Sequence, residues 1–173
     1  MNTASTVGIN PGDEHSDDDL AEAIGVWQAG ELERARTALQ HVVNRRPDWA
    51  EAFLFLGMVQ LELQDDAQAE RTLAEAARLA PHEGVVHFRH AEALSHLGRF
   101  DEAVDALLRA IEQNPGEAKP YLALARVLGA GGERQAAIDV LAAGVAMLPA
   151  DERLQEALVQ IQGGVTTSSS RAS

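Results

Sequence analysis

Apolar residues crowd into short blocks along this chain, separated by charged or glycine-bearing turns. The densest block is AFLFLGMVQLEL, Ala52 to Leu63, in which nine of the first ten residues are apolar. A membrane span needs ~20 consecutive apolar residues, and charges flank this block within a few positions. The blocks keep a register of 34 residues. Pro47, Pro81, Pro115 and Pro149 are each 34 apart, and the same offset links Leu39, Leu73, Leu107 and Leu141, and Ala35, Ala69, Ala103 and Ala137. Two further columns are restricted in size: Ala23, Gly57, Ala91 and Ala125, then Val42, Ala76, Ala110 and Gly144. A fixed period of this length is the mark of a stacked-repeat architecture.

Each period reads as two amphipathic helices, A and B. Helix A of the second unit starts after Pro47-Asp48, with Asp48 placed to cap free N–H groups. Its helix B runs from about Asp66 to Leu79 and stops before Pro81, because proline cannot continue the hydrogen-bond ladder. The small residue of helix A and the alanines of helix B let the two backbones approach, and the leucine column fills the space between units. Gly30, Gly98 and Gly132 fall at the A–B turn, where positive φ is cheap for glycine. Gln64 holds that place in the second unit, so its turn is expected to differ slightly. One unit cannot bury its own apolar face, and stacking does so. A last helix, DERLQEALVQIQ, supplies a lid, with Leu154, Leu158 and Ile161 on one face.

This period and these columns resemble the tetratricopeptide repeat and its W-x2-L-G-x2-Y…A-x3-F…P pattern. The second unit carries the resemblance best, through Phe53, Leu56, Gly57, Ala69, Leu73 and Pro81, with Gln60 where the pattern has tyrosine. At the two leading apolar positions the first unit has Asp19 and Glu22, the third His87 and His90, and the fourth Tyr121 and Leu124. The resemblance spans about Ser16 to Asp151. It implies an all-α, right-handed superhelical solenoid of four helix-turn-helix repeats at about 16–49, 50–83, 84–117 and 118–151, with a capping helix over 151–162. Residues 1–15, which with their neighbours form an acidic stretch, and residues 163–173 read as disordered tails.

The resemblance also implies that the A helices line a concave groove holding the ligand contacts. The columns that would face it are Leu20, Ile24 and Trp27, then Leu54, Met58 and Leu61, then Phe88 and Glu92, then Leu122 and Arg126, flanked by Phe55, Arg89, His96 and Lys119. The first half of this wall is apolar, and the second carries Arg89, Lys119 and Arg126. The expected ligand is a protein or peptide segment with apolar anchors and an acidic end. Three other uses compete for the same surface. These side chains could pack on one another as core, Asp17 to Asp19 could lie in the groove beside Arg89 or Arg126, or the apolar half could bind a second copy of the chain. Some co-chaperones of the family grip a terminal carboxylate with lysine, asparagine and arginine. The corresponding columns hold Leu20, Ile24, Phe55, Val85 and Arg89 in one register and Leu54, Met58, Arg89, Lys119 and Ala123 in the next, so neither makes that grip.

Composition narrows the function. Among 173 residues the formal net charge is −13, and Lys119 is the single lysine. Such a surface repels phosphate backbones and anionic lipid, which argues against nucleic-acid or membrane binding. Cysteine is absent, so redox chemistry does not indicate a compartment; the N-terminus lacks the basic start and apolar core of a secretory signal, and a cytoplasmic protein is expected. His82, His87, His90 and His96 cluster, but "HFRH" lacks the spacing and base of a zinc protease, and zinc wants three or four ligands. The histidines are expected to be structural. "GAGGERQ" at 129–135 lacks the GK[ST] ending of a phosphate loop and coincides with the fourth A–B turn. No catalytic constellation, cofactor or metal site is expected. The reading is a non-catalytic adaptor or scaffold, with two alternatives: a client chaperone resembling small acidic secretion chaperones, or a regulatory subunit of a separately encoded enzyme.

Overall fold

The computed structural model describes residues 13–163; most of both expected tails lies outside the described residues. Among the described residues the chain forms helices α1 (Asp13–Gln28), α2 (Leu32–Arg45), α3 (Ala50–Glu62), α4 (Asp66–Leu79), α5 (Gly84–His96), α6 (Phe100–Gln113), α7 (Ala118–Ala130), α8 (Arg134–Met147) and α9 (Glu152–Gly163). Odd-numbered helices are the A helices, even-numbered ones the B helices, and α9 is the lid. The helix predicted from about Asp66 to Leu79 has those bounds. Helix α1 begins three residues inside the expected tail.

Each helix packs on the next along the chain. The A helices also touch one another, α1 on α3, α3 on α5 and α7 on α9, whereas no two B helices of the described residues lie comparably close. The stack therefore curls toward its A side, which becomes the concave wall. Leu39, Leu73, Leu107 and Leu141 are buried between units. Each contributes ~1.5–3 kcal/mol of apolar burial. In the second unit the fit is tight: a Cβ on Gly57 would stand 2.4 Å from Leu73 Cγ.

The A–B turns are alike in all four units. Gly30, Gly98 and Gly132 have φ of 80°, 73° and 84°. Gln64 has φ 61°, so the second turn does not depart from the others, contrary to the expectation from its sequence. Its amide bonds back to the Leu61 carbonyl and that of Asp65 to the Gln60 carbonyl, at 3.0 and 2.9 Å. The same pair recurs at Gly98 and Arg99, at 3.1 and 2.9 Å. This is the glycine-type helix stop, in which paired bonds satisfy the last carbonyls. Packing of the repeat fixes the turn and Gln64 accepts its backbone.

The helix starts differ from expectation in one place. Trp49, not Asp48, occupies the cap position of α3 and makes no side-chain cap bond. The Arg46 guanidinium lies 4.2 Å over the Trp49 ring, a contact that holds the indole there. Asp65 does cap α4, accepting from the Gln68 amide.

A second set of ties follows the repeat. His87 Nε2 donates to the Pro81 carbonyl at 2.8 Å, the Tyr121 hydroxyl to Pro115 at 3.2 Å and the Gln155 amide to Pro149 at 2.6 Å. Each polar side chain lies six residues after the proline that ends the preceding unit, so it ties the inter-unit turn to the next helix. Phe53, the corresponding residue after Pro47, has no group to do this.

The lid fits as the sequence indicated. Leu154 is fully buried, with Leu158 and Ile161 packed beside it on the last core cluster. Arg134 donates to the Ile161 carbonyl and so ties the end of α9 to the start of α8.

Candidate functional site: the concave groove

The A helices place side chains on the inner wall at intervals of three and four residues, the spacing of one helix face. Near its middle, three of them enclose a hollow of about 320 Å³ lined by Trp27, Met58, Leu61, Glu62, Arg89, Glu92 and His96. Trp27 comes from α1, Met58 to Glu62 from α3, and the rest from α5. The floor is apolar and the far rim is charged. Trp27 meets the Phe55 ring edge-on, with centroids 5.9 Å apart, which fixes the indole on the near side.

Arg89 is the central charge. Its Nη1 donates to Glu92 Oε2 at 2.8 Å, and both side chains are 28% exposed. Its Cζ lies 5.6 Å from the centroid of the Phe88 ring. Its Nε is buried and has no hydrogen-bond partner. His96 Nδ1 lies 2.8 Å from Asp66 Oδ1. Arg89 also lines a second, smaller hollow of about 130 Å³ among α5, the end of α6 and the start of α7, together with Val85, Phe88, Asn114, Glu117 and Lys119.

The expected groove residues therefore divide. Trp27, Met58, Leu61, Arg89, Glu92 and His96 are brought together in the first hollow, and Phe88 and Lys119 join Arg89 at the second. Leu20 is corrected: it is 4% exposed and belongs to the core. Ile24 and Phe55 pack half-buried on the first core cluster, Leu54 with Leu61 on Ala69, Leu73 and Ala93, and Leu122 on the last cluster. Leu61 both lines the hollow and packs on the cluster of Ala69, Leu73 and Ala93, as Trp27 does on the first cluster, and the other side chains support the wall. Arg126 is exposed and lines neither hollow. Several lining residues escaped the sequence reading, among them Glu62 at the first hollow and Val85, Asn114 and Glu117 at the second. Glu62 closes the rim, and Val85, 47% exposed, sits at the mouth of the second hollow. The clamp columns had already placed Val85 on this wall, but not as a contact.

Asp17 and Asp19 point away from Arg89 and Arg126: Asp17 pairs with Arg46 at 3.1 Å and Asp19 with Arg45 at 2.5 Å, at the end of α2. The histidines lie mostly on the opposite side. His82, His87 and His90 line a hollow of about 560 Å³ among α4, α5 and α6. His87 is buried and spent on Pro81. Burial holds the His90 imidazole below its ordinary pKa, and the Glu70 carboxylate, 3.5 Å away, only partly opposes this. Glu70 in turn meets Arg99 at 3.0 Å, and Arg99 grips Glu102 at 2.6 Å. Among the described residues no group of three or more His, Asp or Glu side chains is arranged to hold a metal ion. None of the described helices is long and apolar enough to cross a membrane.

Comparison with known proteins agrees with this geometry. Sequence profiles described as tetratricopeptide repeat match residues 20–84, 67–119 and 94–161. A curated relative, "Small glutamine-rich tetratricopeptide repeat-containing protein 2" of Mycosarcoma maydis, is 28% identical over 114 residues, 66% of this chain. The matched part spans only 32% of that protein's length. Among solved structures, a MamA protein superposes with a TM-score of 0.78 at 22% identity, covering 88% of this chain and 83% of that one. PilF of Pseudomonas aeruginosa gives 0.76 at 18% identity, covering 88% and 69%. A thermophilic TPR protein of Thermus thermophilus gives 0.68 at 20% identity, covering 87% and 83%. At these identities the structures share the fold.

Proposed function

This chain belongs to the tetratricopeptide-repeat family, a family of protein–protein interaction modules, and on that premise we propose that its concave groove binds a peptide segment of a partner protein. The segment places apolar side chains against Trp27, Met58 and Leu61 and directs an acidic end toward Arg89, Lys119 and Arg126. The role is that of a non-catalytic adaptor, holding a partner rather than transforming it.

One observation carries this reading. The wall is not sealed by its own packing: three A helices leave a hollow at Met58 with an apolar floor and a rim of Arg89, His96, Glu62 and Glu92. Aromatic and methionine side chains in such a place are adaptable anchors for a ligand. The acidic end of the proposed ligand is directed at Arg89 and Lys119, which share the second hollow with the Glu117 carboxylate.

The test is binding of an immobilised library of 12-residue peptides to the wild-type chain, to Met58→Glu, and to Arg71→Glu on the outer face of α4 as a charge control. Met58→Glu should lose most binders while keeping its helicity and melting temperature close to wild type, and Arg71→Glu should lose none. Equal binding by all three would refute the groove. Leu54→Glu is a poorer probe, because Leu54 rests on the core cluster of Ala69, Leu73 and Ala93.

A further inference from the structure

The charges around the first hollow do not cancel. Arg89 is held by Glu92 at 2.8 Å, and His96 lies 2.8 Å from Asp66 at the start of α4. Glu62 is exposed, and among the described residues its side chain has no ion pair or hydrogen bond. With Asp66 counted, this rim is negative whether or not His96 carries a proton. The backbone adds to the same sign. Glu62 is the last residue of α3, His96 the last of α5, and Trp27 the last but one of α1. The hollow therefore opens at the carboxyl ends of three neighbouring helices, where the peptide dipoles favour a cation. The second hollow lies instead at the starts of α5 and α7, through Gly84, Val85 and Lys119.

We infer that the first hollow receives a lysine or arginine side chain of the partner segment, with its stem on Met58, Leu61 and Trp27 and its charged head at Glu62. An apolar floor that ends at a free carboxylate suits a side chain with methylenes along its length and a cation at its tip. Lysine and arginine bury such stems on apolar surface while the head stays in water. An acidic side chain here would meet Glu62 and Glu92 with like charge. A purely apolar one would shield Glu62 from water and give it no partner. Trp27 adds to the preference, because indole is the aromatic group that attracts a cation best. The one cation in the lining with a fixed charge is Arg89. Glu92 neutralises it, and its Cζ lies 5.6 Å from the centroid of Phe88, a residue of the second hollow. The inference rests on the groove reading above and names the anchor that the reading leaves open: the methylenes supply the apolar contact at Met58. The recognised segment then carries a basic residue at Glu62 and runs from there toward its acidic end at Lys119.

The experiment screens the same library of 12-residue peptides on wild type, Met58→Gln, Glu62→Gln and Glu112→Gln. Met58→Gln makes the floor polar without adding a charge. Glu62→Gln alters an exposed side chain that holds nothing in the fold, so helicity and melting temperature should match wild type. Glu112 is exposed on the opposite side, beside the histidine hollow, and serves as the charge control. Fluorescence anisotropy then compares each selected peptide with copies in which one lysine becomes norleucine or one arginine becomes citrulline, changes that keep the length and remove the charge. Wild type should bind the original about three- to fivefold more tightly than one of its neutral copies. That gap should close in Glu62→Gln and persist in Glu112→Gln. Binders that are lost in Met58→Gln, yet bind wild type equally well as neutral copies, would overturn the basic anchor and leave the groove standing. A preference for the basic original that survives in Glu62→Gln would overturn the inference in the same way. Binders indifferent to Met58→Gln, or a library with no binder, would overturn the groove and this inference together.

Discussion

Replacing Gln64 with glycine should make the protein more stable although it removes a side chain and adds no contact. Gln64 is the one described non-glycine residue with positive φ, at 61°. Its place in the repeat is held by glycine in the other three units. An L-residue in this region crowds its Cβ against the following carbonyl, at a cost of about 1–2 kcal/mol. Glycine escapes that cost but brings a more flexible unfolded chain, which returns about 0.4–1 kcal/mol. Gln64 is exposed, so little packing is lost. The balance favours Gln64→Gly by about 0.5–1 kcal/mol. The assay is equilibrium unfolding in urea followed by far-ultraviolet circular dichroism. With a slope of about 2 kcal/mol per molar urea, the midpoint should rise by roughly 0.3–0.5 M at unchanged slope. Gly98→Gln is the mirror experiment, since Gly98 has φ 73° and a Cβ there would meet nothing within 4 Å. It should lower the midpoint by a similar amount. A fall in the Gln64→Gly midpoint, or no change in both variants, would refute the claim that the left-handed turn is imposed on Gln64.

Gly57→Ala should destabilise despite alanine's better helix propensity. The new Cβ would lie 2.4 Å from Leu73 Cγ, and overpacking costs ~1–3 kcal/mol against a propensity gain of at most ~1 kcal/mol; a raised urea midpoint would contradict this. Phe53→Tyr should stabilise by ~0.5–1 kcal/mol if its hydroxyl reaches the Pro47 carbonyl as Tyr121 reaches Pro115; an unchanged midpoint would show that the first inter-unit turn lies out of reach. Stability should also fall on acidification through the histidine range. Burial lowers the His90 pKa below 6.5, so as pH drops below 6.5 the unfolded chain takes up a proton that the folded chain refuses until the lower folded pKa is reached. Facing His90 are Glu70 of α4, Arg99 and Glu102 at the start of α6, and His87 of its own helix. His90→Gln should flatten the decline measured between about pH 7.5 and pH 5, and an identical slope in the variant would refute the assignment.

The period of 34 made the architecture legible, because repeated leucines, alanines and prolines report packing that every unit shares. Departures arose where one unit differs from the rest. Gln64 looked like a different turn by local preference, yet the bonds to Leu61 and Gln60 and the flanking packing impose the common backbone. Asp48 looked like a cap, but the Arg46–Trp49 contact accompanies a start one residue later. Leu20 looked like a groove residue by column. In the first unit the leading positions hold Asp19 and Glu22, Asp19 turns out to Arg45, and Leu20 fills the core. Whether a side chain on the concave wall is open or packed depends on how closely successive A helices approach. That spacing is a tertiary property, so Met58 and Leu54 read alike in sequence and differ in the structure.

The central claim is that ligand enters at Met58 on the inner wall, and the methionines of the chain report on it directly. There are three, Met1, Met58 and Met147, and Met147 is 54% exposed at the end of α8, away from the hollow. Methyl-labelled methionine gives each its own proton–carbon signal, and the chain can be titrated with the tightest acidic peptide from the library. The Met58 methyl should shift with saturation at a single affinity while Met147 stays fixed. A saturating shift at Met147 with Met58 unmoved would place the binding surface on the outer face and contradict the account.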